Sequence, residues 1–161
     1  MSEPVVILYR NSTNRHCRDL LRIWRNIYLN DQSPYDVDDI RDEPSIMDIL
    51  SNICPNFRFI ELINPTFQSQ YYEDRNLPID LIRYIAWIPM IILIPGPLFD
   101  RALLNSNTKI IHGVKIMNGI LDDTKHVRFV TKYNDQRPDE FGRWLRDSLL
   151  SQDFQRVQNC M

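Results

Sequence analysis

The stretch that decides the fold is Val5-Val6-Ile7-Leu8-Tyr9-Arg10-Asn11-Ser12-Thr13-Asn14-Arg15-His16-Cys17-Arg18. Its first five residues are apolar without interruption, between Pro4 and the polar run that begins at Arg10, which is how a strand buried on both faces reads. From Asn14 the period changes. Cys17, Leu20, Leu21, Trp24 and Tyr28 fall on one helical face and Arg15, Arg18, Arg22 and Arg25 on another, so the spacing predicts a helix from near Asn14 to near Asn30.

Working outward, Asp31 to Glu43 is acidic and broken by proline, and reads as a loop. Ser45 suits the cap of a short helix carrying Ile46, Ile49, Leu50 and Ile53 up to Pro55. Phe57 to Ile63 is rich in aromatic and β-branched residues and predicts a second buried strand, so strand, helix, strand implies a right-handed parallel crossover. Asn64 to Asn76 shows no period. Pro78 suits the first turn of a helix through Leu81, Ile82 and Ile85, and Met90 to Ile94 is a third apolar strand reached directly through Pro89. In the stretch 95–125, Asp100 to Asn105 reads as a helical turn and Lys109 to Ile116 as a strand; the stretch as a whole reads as an insertion. Val127, Phe129, Thr131 and Tyr133 alternate with other residues as in a half-exposed strand at or next to a sheet edge. Pro138 then opens a last amphipathic helix with Phe141, Trp144, Leu145, Leu149 and Phe154 inward.

That order of elements is similar to the thioredoxin-like superfamily. Residues 5–18 resemble its first strand, active-site loop and first helix, and Tyr84-Ile85-Ala86-Trp87-Ile88-Pro89-Met90-Ile91-Ile92-Leu93 resembles the segment where an Ile-Pro pair, with its proline cis, leads into the third strand. The resemblance covers about residues 4–29, 57–63, 78–95 and 127–150. It implies an α/β, three-layer, thioredoxin-like fold with a central mixed sheet. The chain is then one domain, 1–161, with insertions at about 31–56, 64–77 and 95–126.

In that family a Cys-x-x-Cys pair occupies the helix start, where unpaired N–H groups and the helix dipole stabilise the attacking thiolate. Matching Cys17 to the second cysteine gives Asn14-Arg15-His16-Cys17, so Asn14 stands where the nucleophile would be. Asparagine caps a helix well but forms no mixed disulfide, so the resemblance implies a degenerate site and no thiol-disulfide enzyme. Cys17 shares a face with Leu20, Leu21 and Trp24, which favours an inert core thiol. The alternative is a thiol-disulfide oxidoreductase or redox sensor using Cys17, with His16 beside it and Cys54, Cys160 or a partner's cysteine as the second thiol. A third reading, a glutathione-dependent transferase acting through Ser12 or Thr13, competes with their ordinary role as turn and cap residues.

The remaining candidates are binding residues. Arg15, Arg18, Arg22 and Arg25 form a stripe that is either a solvated helix face or a docking surface, and Trp87 and Pro89 stand where the family presents backbone to an extended peptide. Fifteen arginines against four lysines favour protein contacts, because the planar guanidinium pairs with carboxylates and stacks on aromatic rings. A net charge of -2 gives no general attraction to nucleic acid or anionic lipid. Three scattered cysteines form neither a disulfide framework nor a zinc-type pair, which points to a reducing compartment, and no metal or cofactor is expected. The opening Met-Ser-Glu-Pro is no signal peptide, and the run Ile85 to Pro95 falls short of a membrane span. The expected function is therefore a non-catalytic structural or protein-interaction component. Redox-dead proteins of the fold it resembles occur as structural parts of large assemblies, including virions of large DNA viruses, so the resemblance implies a minor capsid or virion protein with other proteins of the assembly as partners. Scarce alanine and glycine beside abundant isoleucine, asparagine and aspartate agree with that setting.

Overall fold

The computed structural model describes residues 2–13, 17, 56–85, 88–118, 126–128 and 140–160. The apolar run predicted as the first strand becomes β1 (Val5–Arg10), and Met90–Ile94 becomes β3. They pair antiparallel in the register Val5↔Ile94 to Tyr9↔Met90. All ten of these paired residues are buried, so the uninterrupted apolar sequences are explained by the absence of water on either face. Each such side chain contributes about 2 kcal/mol of transfer free energy.

β2 (Arg58–Ile63) runs parallel to β1 on one side, from Val5↔Arg58 to Arg10↔Ile63. β4 (Lys115–Asn118) runs antiparallel to β3 on the other, and β5 (His126–Arg128) lies parallel beside it. The result is a mixed five-stranded sheet in the order β2-β1-β3-β4-β5, within an α/β fold. On one face Val5, Ile7 and Tyr9 of β1, Leu62 of β2 and Met90, Ile92 and Ile94 of β3 form a continuous core with Tyr72, Leu81, Ile85, Leu98, Phe99, Ala102 and Ile110. The alternate residues Val6, Leu8, Ile91, Leu93 and Met117 are buried too, as two-sided coverage requires.

Several boundaries differ from those predicted, each through a contact distant in sequence. The stretch 64–76 contains α1 (Ser69–Asp74), six residues long and too short to show a period; it is held by buried Tyr72, whose hydroxyl donates to Thr66 O at 2.9 Å. The helix predicted after Pro78 is a 3-10 helix, Ile79–Tyr84. α2 (Gly96–Leu104) starts four residues before Asp100, because Pro97 lies in its first turn, where a missing N–H costs nothing. The strand predicted at Lys109 starts instead at Lys115: Ile110 is buried in the core, and Gly113, at φ 79°, turns the chain before the strand. The stretch 95–126 thus supplies α2 and the neighbour of β3. The last helix is divided at Ser151 into α3 (Glu140–Leu150) and α4 (Gln152–Gln158), with Trp144, Leu145 and Phe154 buried as predicted and Leu149 half-buried. The helices predicted over 14–30 and 45–53, and the strand beyond Arg128, lie outside the described residues.

Gly96 has a specific reason. A Cβ there would lie 2.4 Å from Glu3 O and 2.6 Å from Ser2 O, so the opening segment crosses the start of α2 at backbone distance. Buried Gln158 completes the crossing: its Oε1 accepts from Gly96 N and its Nε2 donates to Ser2 O, both at 2.8 Å. Because the clashing atoms are backbone, Gly96→Ala should lower unfolding free energy by about 2 kcal/mol or more in urea denaturation.

Candidate functional site

The C-terminal end of β1 is where apolar sequence gives way to polar, and four long-range contacts build it. Arg10, the last residue of β1, forms an ion pair with Glu61 of β2, with both side chains largely shielded from water. Asn64, one residue past β2, donates its backbone N–H to Arg10 O at 2.8 Å and accepts at Oδ1 from Ser12 N at 2.9 Å. Its amide also donates to Ser12 Oγ at 3.1 Å. Asn64 holds φ at 49°, in the left-handed region that asparagine tolerates better than other non-glycine residues. The loop leaving β1 is therefore fastened to the end of its parallel neighbour.

Cys17 returns to this loop. It is helical and 1% exposed, and Asn11 N–H donates to its Sγ at 3.3 Å. Burial pushes the thiol pKa up, and this outweighs the Asn11 hydrogen bond and the charge of Arg10, which both act to lower it. Thiolate chemistry needs the reverse balance, a partly exposed sulfur in a positive environment. Cys160, by contrast, is exposed.

Pro89 lies at the same end of the sheet, since the register Tyr9↔Met90 brings the residue before β3 level with the residue after Tyr9. It is buried, and the Ile88-Pro89 bond is cis. The approach to it is anchored twice. Tyr9 Oη donates to Leu81 O at 2.9 Å, and burial pushes the Tyr9 pKa well up, so it stays a neutral donor. Asp80 accepts from Arg83 through both carboxylate oxygens and from Ile110 N at 2.7 Å, while Tyr84 Oη donates to Ile110 O at 2.6 Å. Partial burial acts against ionisation of Asp80, but the bonds from Arg83 and Ile110 and the charges of Arg83 and Lys109 outweigh it, and its pKa is lowered.

Of the residues singled out in the sequence, Cys17 and Pro89 are thus at one end of the sheet, with Ser12 two residues past β1. Asn14, Arg15, His16, Arg18, Arg22, Arg25, Cys54 and Trp87 lie outside the described residues. Sequence reading overlooked Glu61, Asn64 and Asp80. A signal existed for Glu61, because a carboxylate inside an apolar strand needs a partner and Arg10 ends the strand alongside. Asn64 before Pro65 is a turn pair, but nothing local names Ser12 as its partner. Among the described residues no three histidine, cysteine or acidic side chains gather as a metal site, and no helix is long and apolar enough to cross a membrane. The chain matches no family model, no curated protein and no solved structure.

Two outcomes follow. Asn64→Ala loses both the hydrogen bond and left-handed tolerance and should cost about 2 kcal/mol, whereas Asn64→Gly loses only the bond and should cost about 1 kcal/mol; equal losses in denaturant titration would show that φ is irrelevant. Asp80, with its lowered folded-state pKa, stabilises the fold above the ordinary carboxylate value of 3.8, and this is lost as pH falls through the folded-state value. Asp80→Asn should therefore be less stable at neutral pH and show a shallower decline on acidification, read from thermal midpoints between pH 7 and about pH 2.

Proposed function

We propose that this chain is a thioredoxin-like protein that has lost thiol-disulfide exchange and serves as a structural or protein-interaction component. The observation that carries the loss of activity is Cys17: a shielded thiol with a raised pKa, in a sequence that has Asn14 where an attacking cysteine would stand. Asparagine offers no sulfur, and a neutral buried thiol is a poor nucleophile. The fold reading is supported by a parallel β1–β2 pair, by β3 antiparallel beside β1 and β4 antiparallel beside β3, and by the cis Ile88-Pro89 bond at the head of β3.

The assembly role, as a minor capsid or virion component of a large DNA virus with neighbouring proteins as partners, rests on the resemblance to redox-dead proteins of this fold, and composition agrees with it: four glycines in 161 residues, with isoleucine, asparagine and aspartate abundant. Arg15, Arg18, Arg22, Arg25 and Trp87 are the residues proposed to contact those partners. The competing oxidoreductase reading draws on the Asn11 amide and the Arg10 charge, both of which favour thiolate at Cys17. Burial opposes it.

Alkylation of the native protein at neutral pH, followed peptide by peptide, separates the two. Cys160 should react at the rate of a free thiol and Cys17 roughly a hundredfold more slowly until the protein is unfolded. Insulin reduction should stay at background, and Cys17→Ser should leave the pattern of co-purifying proteins unchanged. Rapid labelling of Cys17 together with insulin reduction would sink the non-catalytic reading.

A further inference from the structure

Among the described residues β2 has one neighbour, β1. The bonds from Arg58 N to Pro4 O at 3.0 Å and from Asn64 N to Arg10 O at 2.8 Å fix which residues face it. Strand alternation then turns the N–H and C=O groups of Ile60 and Leu62 toward β1 and those of Phe59, Glu61 and Ile63 away from the sheet. Of these outward groups, Ile63 O accepts the Tyr71 hydroxyl at 2.8 Å.

Proteins keep such edges from pairing with proline, bulges or unpartnered charge. β2 contains no proline, and its register to β1 runs without a bulge from Arg58 to Ile63. Both of its charges are already matched inside the chain: Glu61 by Arg10, and Arg58 by Asp100 at 3.0 Å with its guanidinium over the Phe99 ring. Pairing here would strand no charge. Beside the edge, Ile63 is 41% and Phe67 72% exposed.

We propose that the outward edge of β2 pairs with β2 of a second copy of this chain, antiparallel about a twofold axis at Ile60. Charge selects this register. Outward residues must face outward residues, which permits axes at Phe59, Ile60 or Glu61. An axis at Glu61 sets two carboxylates directly opposite each other, which is destabilising. An axis at Phe59 leaves Ile63 beyond the paired segment. With the axis at Ile60, Phe59 and the copy's Glu61 exchange both N–H···O bonds on each side, Ile60 faces itself, and Phe57 covers the exposed Ile63. The strand is its own complement in this register, so a second copy supplies every group the edge lacks through an isologous contact. This pairing does not depend on the state of Cys17.

Sedimentation of the full chain from about 1 to about 500 µM should show a shift from the chain mass to twice that mass. Over the same range the Phe59, Glu61 and Ile63 amides should exchange with deuterium at least about tenfold more slowly in the dimer. Phe59→Pro removes an outward donor and no donor of the β1–β2 ladder, so it should remain monomeric with an unchanged circular dichroism spectrum. The proposal is overturned by a monomer throughout, by a dimer whose outward amides exchange as in the monomer, or by amides protected only when another protein is added. If Phe59→Pro fails to fold, amide exchange in the unaltered protein decides.

Discussion

The antiparallel contact between Val5–Tyr9 and Met90–Ile94 is the constraint from which the rest of the structure follows. Neither strand meets water on either face, so neither can hold a polar side chain within the paired segment except one that reaches a partner, as the Tyr9 hydroxyl does at Leu81 O. Polar chemistry is thereby displaced to the ends of the two strands. Arg10, Asn11 and Ser12 begin where the buried segment stops, and Pro89 is the last residue before it resumes. Any ligand or partner of the central strands must meet them at such an end or across an element laid over them.

That end is held together by polar contacts as well as by packing. The Arg10–Glu61 pair, the Asn64–Ser12 bonds and the Asp80–Ile110 bond each join segments far apart in sequence, and the first and last of them satisfy groups that would be costly to leave unpaired out of water. Cys17 is held in the same frame, with an amide donor and a nearby cation, yet burial dominates its protonation. The arrangement keeps two features that would favour a thiolate and withholds the exposure that would make them effective.

The central strands were legible in the sequence because two-sided burial leaves a local mark, an unbroken apolar run. The inward face of the last helix was legible for a similar reason, with Trp144, Leu145 and Phe154 at helical spacing. What escaped reading was set by distant partners. Six residues around Tyr72 form a helix because Tyr72 is buried and bonded to Thr66. The strand after Gly113 begins late because Ile110 is held in the core by Asp80 and Tyr84, 30 and 26 residues earlier. At the site itself, Cys17 was correctly assigned to the core from its apolar helical face, while nothing local named Ser12 as the partner of Asn64.

The Gln158 side chain has a topological consequence. By bonding both Ser2 and Gly96 it brings residues 156 positions apart to within one amide of each other, so the segment between them is nearly a closed ring. Segments whose ends meet in this way tolerate being joined there and opened elsewhere. Anything fused before Ser2 or after Gln158 would emerge from one point on the surface, and tension between two such attachments would load this clamp before it reached the sheet.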